Sequence, residues 1–242
     1  MQLYSKSDIG LVRETNQDFC MTGEFPGGAV WAIVCDGMGG HNGGSTASRV
    51  ATETMSGTLT SGYREDMNSD DIRNLLELAV NCANKAVYEM ALHVQGLEGM
   101  GTTVVAVIAK GGIAHVIHAG DSRAYFCTDN EIRRITTDHS IVQMLIDSGE
   151  LTPEQARSHP YRNQITRALG TEPELSTDYN TVDFVPGSKI LICTDGMSNY
   201  ITDESLLDYV RENSCEKLTE KLIETAKERG GSDNITVAVI AN

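Results

Sequence analysis

Apolar, β-branched runs of strand length recur along the chain at Ala29 to Cys35, Thr102 to Ala109, Ile113 to His118, Arg123 to Cys127, Lys189 to Thr194 and Ile235 to Ile240. Lys110-Gly111-Gly112 joins two of these runs and Thr128-Asp129-Asn130-Glu131 follows a third. Such short glycine- and Asx-rich junctions predict hairpins and antiparallel pairing, which disfavours a purely parallel wound sheet.

Helical spacing comes in two batches. From Ser69, the residues Ile72, Leu75, Leu76, Ala79, Val80, Ala83, Ala86, Val87 and Met90 repeat every three or four positions, with Asp70 and Asp71 suited to a positive first turn. A shorter helix before it uses Ala47, Val50, Ala51, Met55 and Leu59; a late pair uses Leu206, Leu207 and Val210, then Leu218, Leu222, Ile223 and Ala226. Strand groups alternating with helix pairs predict an α+β architecture in layers, with helices packed on the outer faces of antiparallel sheets. Between them, Asp138 to Gly149 reads as helical and ends at a glycine suited to a left-handed cap. Thr152-Pro153-Glu154-Gln155 carries a capping box with proline at the first helical position. The stretch from Arg157 to Asn163 has no clear period and reads as a mobile surface segment.

With 242 residues, 40% of them apolar, and only five prolines, the chain can bury a sizeable core, and the absence of a repeat or linker predicts one domain over residues 1–242. Thirty-four acidic against 19 basic residues give a formal charge of -15, which repels phosphate backbones and anionic lipid surfaces and argues against nucleic acid as a partner. The start has no apolar leader pattern and no stretch has the length of a membrane span, so the expected location is the cytoplasm with no membrane attachment. The six cysteines show no C-x-x-C pair, and Cys35 and Cys193 sit inside apolar runs, where a thiol behaves as a small hydrophobe. Asn234-Ile235-Thr236 formally matches a glycosylation sequon, without consequence where no secretory signal is read.

The informative pattern is that single aspartates end hydrophobic strands beside glycine. Val34-Cys35 runs into Asp36-Gly37, Ala119 into Gly120-Asp121 and Cys193-Thr194 into Asp195-Gly196, while Asp233-Asn234 immediately precedes a strand. Each alone reads as a turn aspartate. Asp36, however, is followed by five glycines between positions 37 and 44, more backbone freedom than a hairpin needs. Carboxylates gathered without a cation raise one another's pKa, whereas an all-oxygen cluster suits Mg²⁺ or Mn²⁺. Two such ions about 3.5 to 4 Å apart suit an in-line displacement at phosphorus. Arg13, shortly before Asn16-Gln17-Asp18, offers a planar fork for two phosphate oxygens.

At this point the chain resembles the metal-dependent protein serine/threonine phosphatases, also called protein phosphatase type 2C, and in particular their compact bacterial branch. The resemblance rests on Arg13-Glu14-Thr15-Asn16-Gln17-Asp18, Asp36-Gly37-Met38-Gly39-Gly40-His41, Met100-Gly101-Thr102-Thr103, Gly120-Asp121-Ser122-Arg123-Ala124-Tyr125, Thr137-Asp138-His139-Ser140, Thr166-Arg167-Ala168-Leu169-Gly170, Asp195-Gly196-Met197-Ser198 and Gly231-Ser232-Asp233-Asn234-Ile235-Thr236. It implies a four-layer α-β-β-α sandwich, two antiparallel sheets flanked by helix pairs, with the metals in a cleft at one edge. It also implies that Asp36 bridges two ions, that the Gly37 carbonyl oxygen binds one, and that Asp195 and Asp233 hold the other. By the same resemblance Asp18 supports the pair, Asp121 with Asp195 takes a weaker third ion, Arg13 grips the substrate phosphate, and the segment near 145 to 165 is a mobile flap. The implied partners are phosphorylated proteins and a cognate serine/threonine kinase whose marks the enzyme erases; a monomer is expected.

Two positions depart from the family pattern. Met38 stands where animal members have a histidine proposed as general acid, which leaves a metal-held water for that task and His41 as the weaker option. Ser45 stands where bacterial relatives commonly have glutamate. His93, His115, His118, His139 and His159 are expected to be structural. Two other readings share the residues: a non-catalytic phosphoprotein-binding module of the same fold, and a metal-dependent nuclease or small-molecule phosphoesterase, the strong negative charge opposing polynucleotide substrates.

Overall fold

The computed structural model describes residues 1–242, with the side chains of His41 and Asn42 outside the described part. In chain order the elements are β1 (Gln2–Asp8), β2 (Asp18–Glu24), β3 (Val30–Met38), α1 (Gly40–Gly62), α2 (Ser69–His93), β4 (Gly101–Thr102), β5 (Val104–Lys110), β6 (Ile113–Ala119), β7 (Arg123–Cys127) and β8 (Ile132–Arg134). There follow α3 (Ile141–Asp147), α4 (Pro153–Arg157), β9 (Asp178–Asp183), β10 (Lys189–Cys193), α5 (Asp195–Ser198), α6 (Asp203–Glu212), α7 (Cys215–Glu228) and β11 (Ile235–Ala241).

One sheet has the order β1-β11-β10-β7-β8 and the other β2-β3-β5-β6-β9, with β4 paired to the end of β3. Every named strand pairing is antiparallel. The β5–β6 and β7–β8 hairpins stand at the two junctions that their glycine and Asx residues predict. Val30, Ala32 and Val34 meet Ile190, Ile192, Ala238 and Ile240 between the sheets, while Trp31, Ile33 and Cys35 pack under α1 and α2. On the other side Leu191, Cys193, Val237 and Val239 pack under α6 and α7. Both faces of these central strands are covered, so they read in sequence as unbroken apolar runs instead of alternating ones. The result is the α-β-β-α stack.

Local chemistry sets the helix starts. Asn68 accepts from the amides of Asp70 and Asp71 while Asp71 accepts from the amide of Asn68, a capping box that opens α2. Thr152 and Gln155 do the same for α4. The glycine stretch after Asp36 is less loose than its composition suggests: it turns at Gly39, with φ +112°, and continues as the first turn of α1. The helix expected over Asp138 to Gly149 begins only at Ile141, with Ser140 as its cap, because the backbone before it is engaged elsewhere: the His139 amide donates to the Gly120 carbonyl at 2.9 Å, its carbonyl accepts from the Thr166 amide at 2.8 Å, and Ser140 bridges to Ile165. Gly149 does take the left-handed conformation, with φ +78°. Among the described residues, no helix is long and apolar enough to cross a membrane.

Candidate metal centre

In antiparallel sheets the end of one strand lies beside the start of the next, and five aspartates exploit that rule at one end of the sandwich. Asp36 lies near the C-terminal end of β3 and Asp18 is the first residue of β2, directly opposite it. Asp121 and Asp195 follow the ends of β6 and β10, and Asp233 precedes β11. Two close backbone approaches hold these ends together. A Cβ on Gly196 would lie 1.8 Å from the Asn234 carbonyl oxygen, and one on Gly37 would lie 2.0 Å from that of Gly44. Only glycine fits at either place.

A cleft of about 680 Å³ results, lined by Arg13, Asp36, Gly37, Asp121, Asp195 and Asp233. Asp18 lies behind it, buried, accepting from the Thr194 hydroxyl at 2.8 Å. Arg13 Nη2 donates to Asp233 Oδ2 at 2.7 Å. Met38 also lines the cleft, and its thioether has no proton to donate. Asn163 and Ile165, from the expected flap segment, form one rim. The His41 side chain lies outside the described residues.

The electrostatics are those of crowded acids. Burial pushes Asp18 up to about 7, with Asp195 and Asp233 adding to the shift and the Thr236 and Thr194 hydroxyls opposing it. Asp121 is pushed up to about 8 by burial and then by Asp195. Asp36 stands well above the usual carboxylate range, first through burial and then through Asp18 and Asp195; Asp195 is raised by burial and by Asp233. Asp18 Oδ1 and Asp195 Oδ1 are buried with no hydrogen-bond partner. Orphaned acceptors, an all-oxygen donor set and like charges are what a hard divalent cation compensates, so these residues fit such ions. Among the described residues no three of these carboxylates bring oxygens within 4.8 Å of one another. They line a cleft and do not close on a single point.

Several supporting residues carry no assignment from sequence reasoning. Thr103 Oγ1 accepts from the Asp36 amide at 3.0 Å and lies 2.7 Å from Ser122 Oγ. Asn199 donates to Asp195 Oδ2 at 3.1 Å. Asn234, notable in sequence only as part of a sequon, is buried; it accepts from the Gln17 amide at 2.8 Å and donates to the carbonyls of Ile9 and Thr15 at 2.9 and 3.0 Å. It thereby pins the loop that carries Arg13 against the loop that carries Asp233. The signal was present, since Thr103 and Asn234 both stand in the motifs above, but only the folded chain gives each its partners.

A second cluster also has ligand-type atoms within 4.8 Å of one another: His118, His139 and Asp178. Here the cation is supplied by the protein. Arg167 Nη1 donates to Asp178 Oδ1 at 2.8 Å and lies 3.0 Å from His139 Nε2. The Gly120 amide donates to His139 Nδ1 at 3.2 Å, and His139 Nε2 lies 3.3 Å from Asp178 Oδ2.

Comparison with known proteins agrees with this geometry. The sequence profile of the family described as Protein phosphatase 2C matches residues 12–237. The serine/threonine protein phosphatase PstP of Mycobacterium tuberculosis is 36% identical over 235 residues, 97% of this chain and 44% of that protein. The chain thus spans less than half of that relative's length. Protein phosphatase PhpP of Streptococcus pneumoniae is 31% identical over 242 residues, covering 100% of this chain and 97% of the relative. Among solved structures, the catalytic domain of PstP in complex with two manganese ions superposes with a TM-score of 0.85 at 34% identity, covering 98% of this chain and 96% of that one. The chain belongs to the protein phosphatase 2C family.

Proposed function

We propose that the protein is a Mn²⁺- or Mg²⁺-dependent serine/threonine protein phosphatase, one catalytic unit that works in the cytoplasm as a monomer and reverses a serine/threonine kinase. The observation that carries this reading is the meeting of Asp36, Asp121, Asp195, Asp233 and Arg13 in one cleft with orphaned carboxylate oxygens beneath it. Asp36 and the Gly37 carbonyl oxygen would hold one ion, and Asp36 with Asp195 and Asp233 a second. Asp18 would support both from behind, and Asp121 with Asp195 would hold a weaker third. Bound there, the ions supply a nucleophilic water at neutral pH and neutralise charge on the phosphoryl group.

The remaining work falls to the chain itself. Arg13 exchanges its Asp233 partner for two nonbridging phosphate oxygens and so orients the phosphorus toward the floor of the cleft. Thr103 fixes the Asp36 backbone, and Asn199 fixes the Asp195 carboxylate. Met38 leaves the leaving alkoxide to take its proton from water. The test is hydrolysis of a phosphothreonine peptide with millimolar Mn²⁺, abolished by a chelator and by Asp36→Asn or Asp195→Asn in protein that still melts cooperatively. Turnover that survives the chelator, or either substitution, overturns the reading.

A further inference from the structure

Three of the five aspartate carboxylates accept from a donor side chain, Asp18 from Thr194, Asp195 from Asn199 and Asp233 from Arg13, while Asp36 is held through its backbone amide, which donates to Thr103. Among the described residues no side chain donates to the Asp121 carboxylate. Its direction is therefore set through its backbone, which follows Gly120, at φ +108°. A glycine in that region has conformational freedom to spare, and the chain must restrain it elsewhere. The restraint is His139. Its backbone amide donates to the Gly120 carbonyl at 2.9 Å, and its ring Nδ1 accepts from the Gly120 amide at 3.2 Å. One residue thus holds both backbone polar groups of Gly120, the N–H of the peptide unit before it and the C=O of the unit that leads into Asp121.

The same histidine is tied to two other parts of the molecule. Its carbonyl accepts from the Thr166 amide at 2.8 Å, and Ser140 bridges to Ile165, so the flap leaves and re-enters the fold beside it. Its Nε2 lies 3.3 Å from the Asp178 carboxylate on edge strand β9. Its ring stacks on His118, with centroids 4.6 Å apart and planes at 10°, and His118 Nε2 lies 2.9 Å from the Thr137 carbonyl oxygen. The ring is 7% exposed and cannot swing away without breaking these contacts.

We propose that His139 is the positioning residue for Asp121: its Nδ1 bond to the Gly120 amide orients that carboxylate for the weakly held third cation, and its backbone ties the same turn to the flap base. The proposal rests on the reading that Asp121 takes an ion. It separates into two arms of one ring. Asparagine at 139 can place Oδ1 where Nδ1 now accepts, keeping the Gly120 bond and losing Asp178; glutamine reaches toward Asp178 and loses the Gly120 bond.

The experiment is Mn²⁺ titration of the full chain followed by the electron paramagnetic resonance of free Mn²⁺, with melting curves for each variant. His139→Gln should weaken the weakest bound ion by tenfold or more, the range usual when support for a metal ligand is removed. It should do so without displacing the tighter ions, and it should cause no further loss in an Asp121→Asn background. His139→Asn should remain within about twofold of the parent, the rescue that a merely space-filling role would not produce. Asp178→Asn, which leaves the Gly120 bond intact and loosens only the far end of the ring, should give a smaller weakening in the same direction, and it serves as the test if His139→Gln does not fold. Parent-like binding in folded His139→Gln, or equal loss in the asparagine and glutamine variants, overturns the proposal. Parent-like binding in Asp121→Asn overturns it by a different route, because the third-ion reading then fails while the two-ion function stands.

Discussion

Asp18 and Asp36 face each other as direct partners across the β2–β3 pair. Like charges in that relationship destabilise a sheet unless something compensates them. The Thr194 hydroxyl covers one oxygen of Asp18 and leaves Oδ1 orphaned. Acids crowded in this way are relieved by a proton or by a cation, with measurable consequences.

The first is a pH dependence of the metal-free protein. Asp18 at about 7 and Asp121 at about 8 stand above their ordinary value of 3.8, so protonation is favoured in the folded state. Their contribution to stability is complete below about pH 4 and is lost as pH rises through 7 and 8. The melting temperature in chelator should fall between pH 5 and 8, and Asp18→Asn should flatten the slope. Mn²⁺ should raise the melting temperature, and raise it more at pH 8 than at pH 6, because cation and proton compete for the same oxygens. A flat profile in chelator would contradict the crowding of these acids.

Arg13 is half exposed and paired with Asp233, so its removal should spare the fold. Arg13→Ala is expected to lower kcat/KM on a phosphopeptide by roughly tenfold to a hundredfold, the equivalent of the ~1.5–3 kcal/mol of a charge-assisted hydrogen bond. Arg13→Lys should recover only part of this, since an ammonium cannot present the two-pronged fork. Steady-state kinetics at saturating Mn²⁺ checks both, and full recovery by lysine would exclude bidentate gripping.

Gly196→Ala tests the close approach that joins two metal-ligand candidates. The new Cβ would meet the Asn234 carbonyl oxygen at 1.8 Å, so the Asp195 and Asp233 loops must separate. The variant should bind Mn²⁺ more weakly by calorimetry and melt earlier than the parent. Unchanged affinity would show that the spacing of these two carboxylates is not what holds the ions.

Asn234→Ala removes three hydrogen bonds that pin the loop around Arg13. At about 1 kcal/mol each, the loss is about 3 kcal/mol, and the melting temperature should fall by several degrees. With the loop unpinned, KM for a phosphopeptide should rise more than kcat falls. A variant that melts with the parent would remove Asn234 from the architecture of the site.

The strands that the apolar pattern names, β3, β5, β6, β7, β10 and β11, are those covered on both faces or paired on both sides, and burial is what writes hydrophobicity into a strand. The ones it does not name, β1, β2, β8 and β9, are the four sheet edges. There one side of the ladder meets solvent, and polar residues such as Lys6, Thr22 and Asn180 are tolerated. The helix stripes and the aspartates at strand ends were legible because amphipathic period and glycine-flanked acids are local features. What only the tertiary structure decided is which distant groups became neighbours. Asp18 opposite Asp36, Asn234 between two loops, Asp138 claimed by Arg123, and His139 holding Gly120 all join residues whose separation along the chain carries no record of the partnership. The sequence by itself determined the inventory of elements and candidate ligands, through local propensity and burial. The assembly around the cleft came from antiparallel register and close packing, which exist only once the sheets have formed.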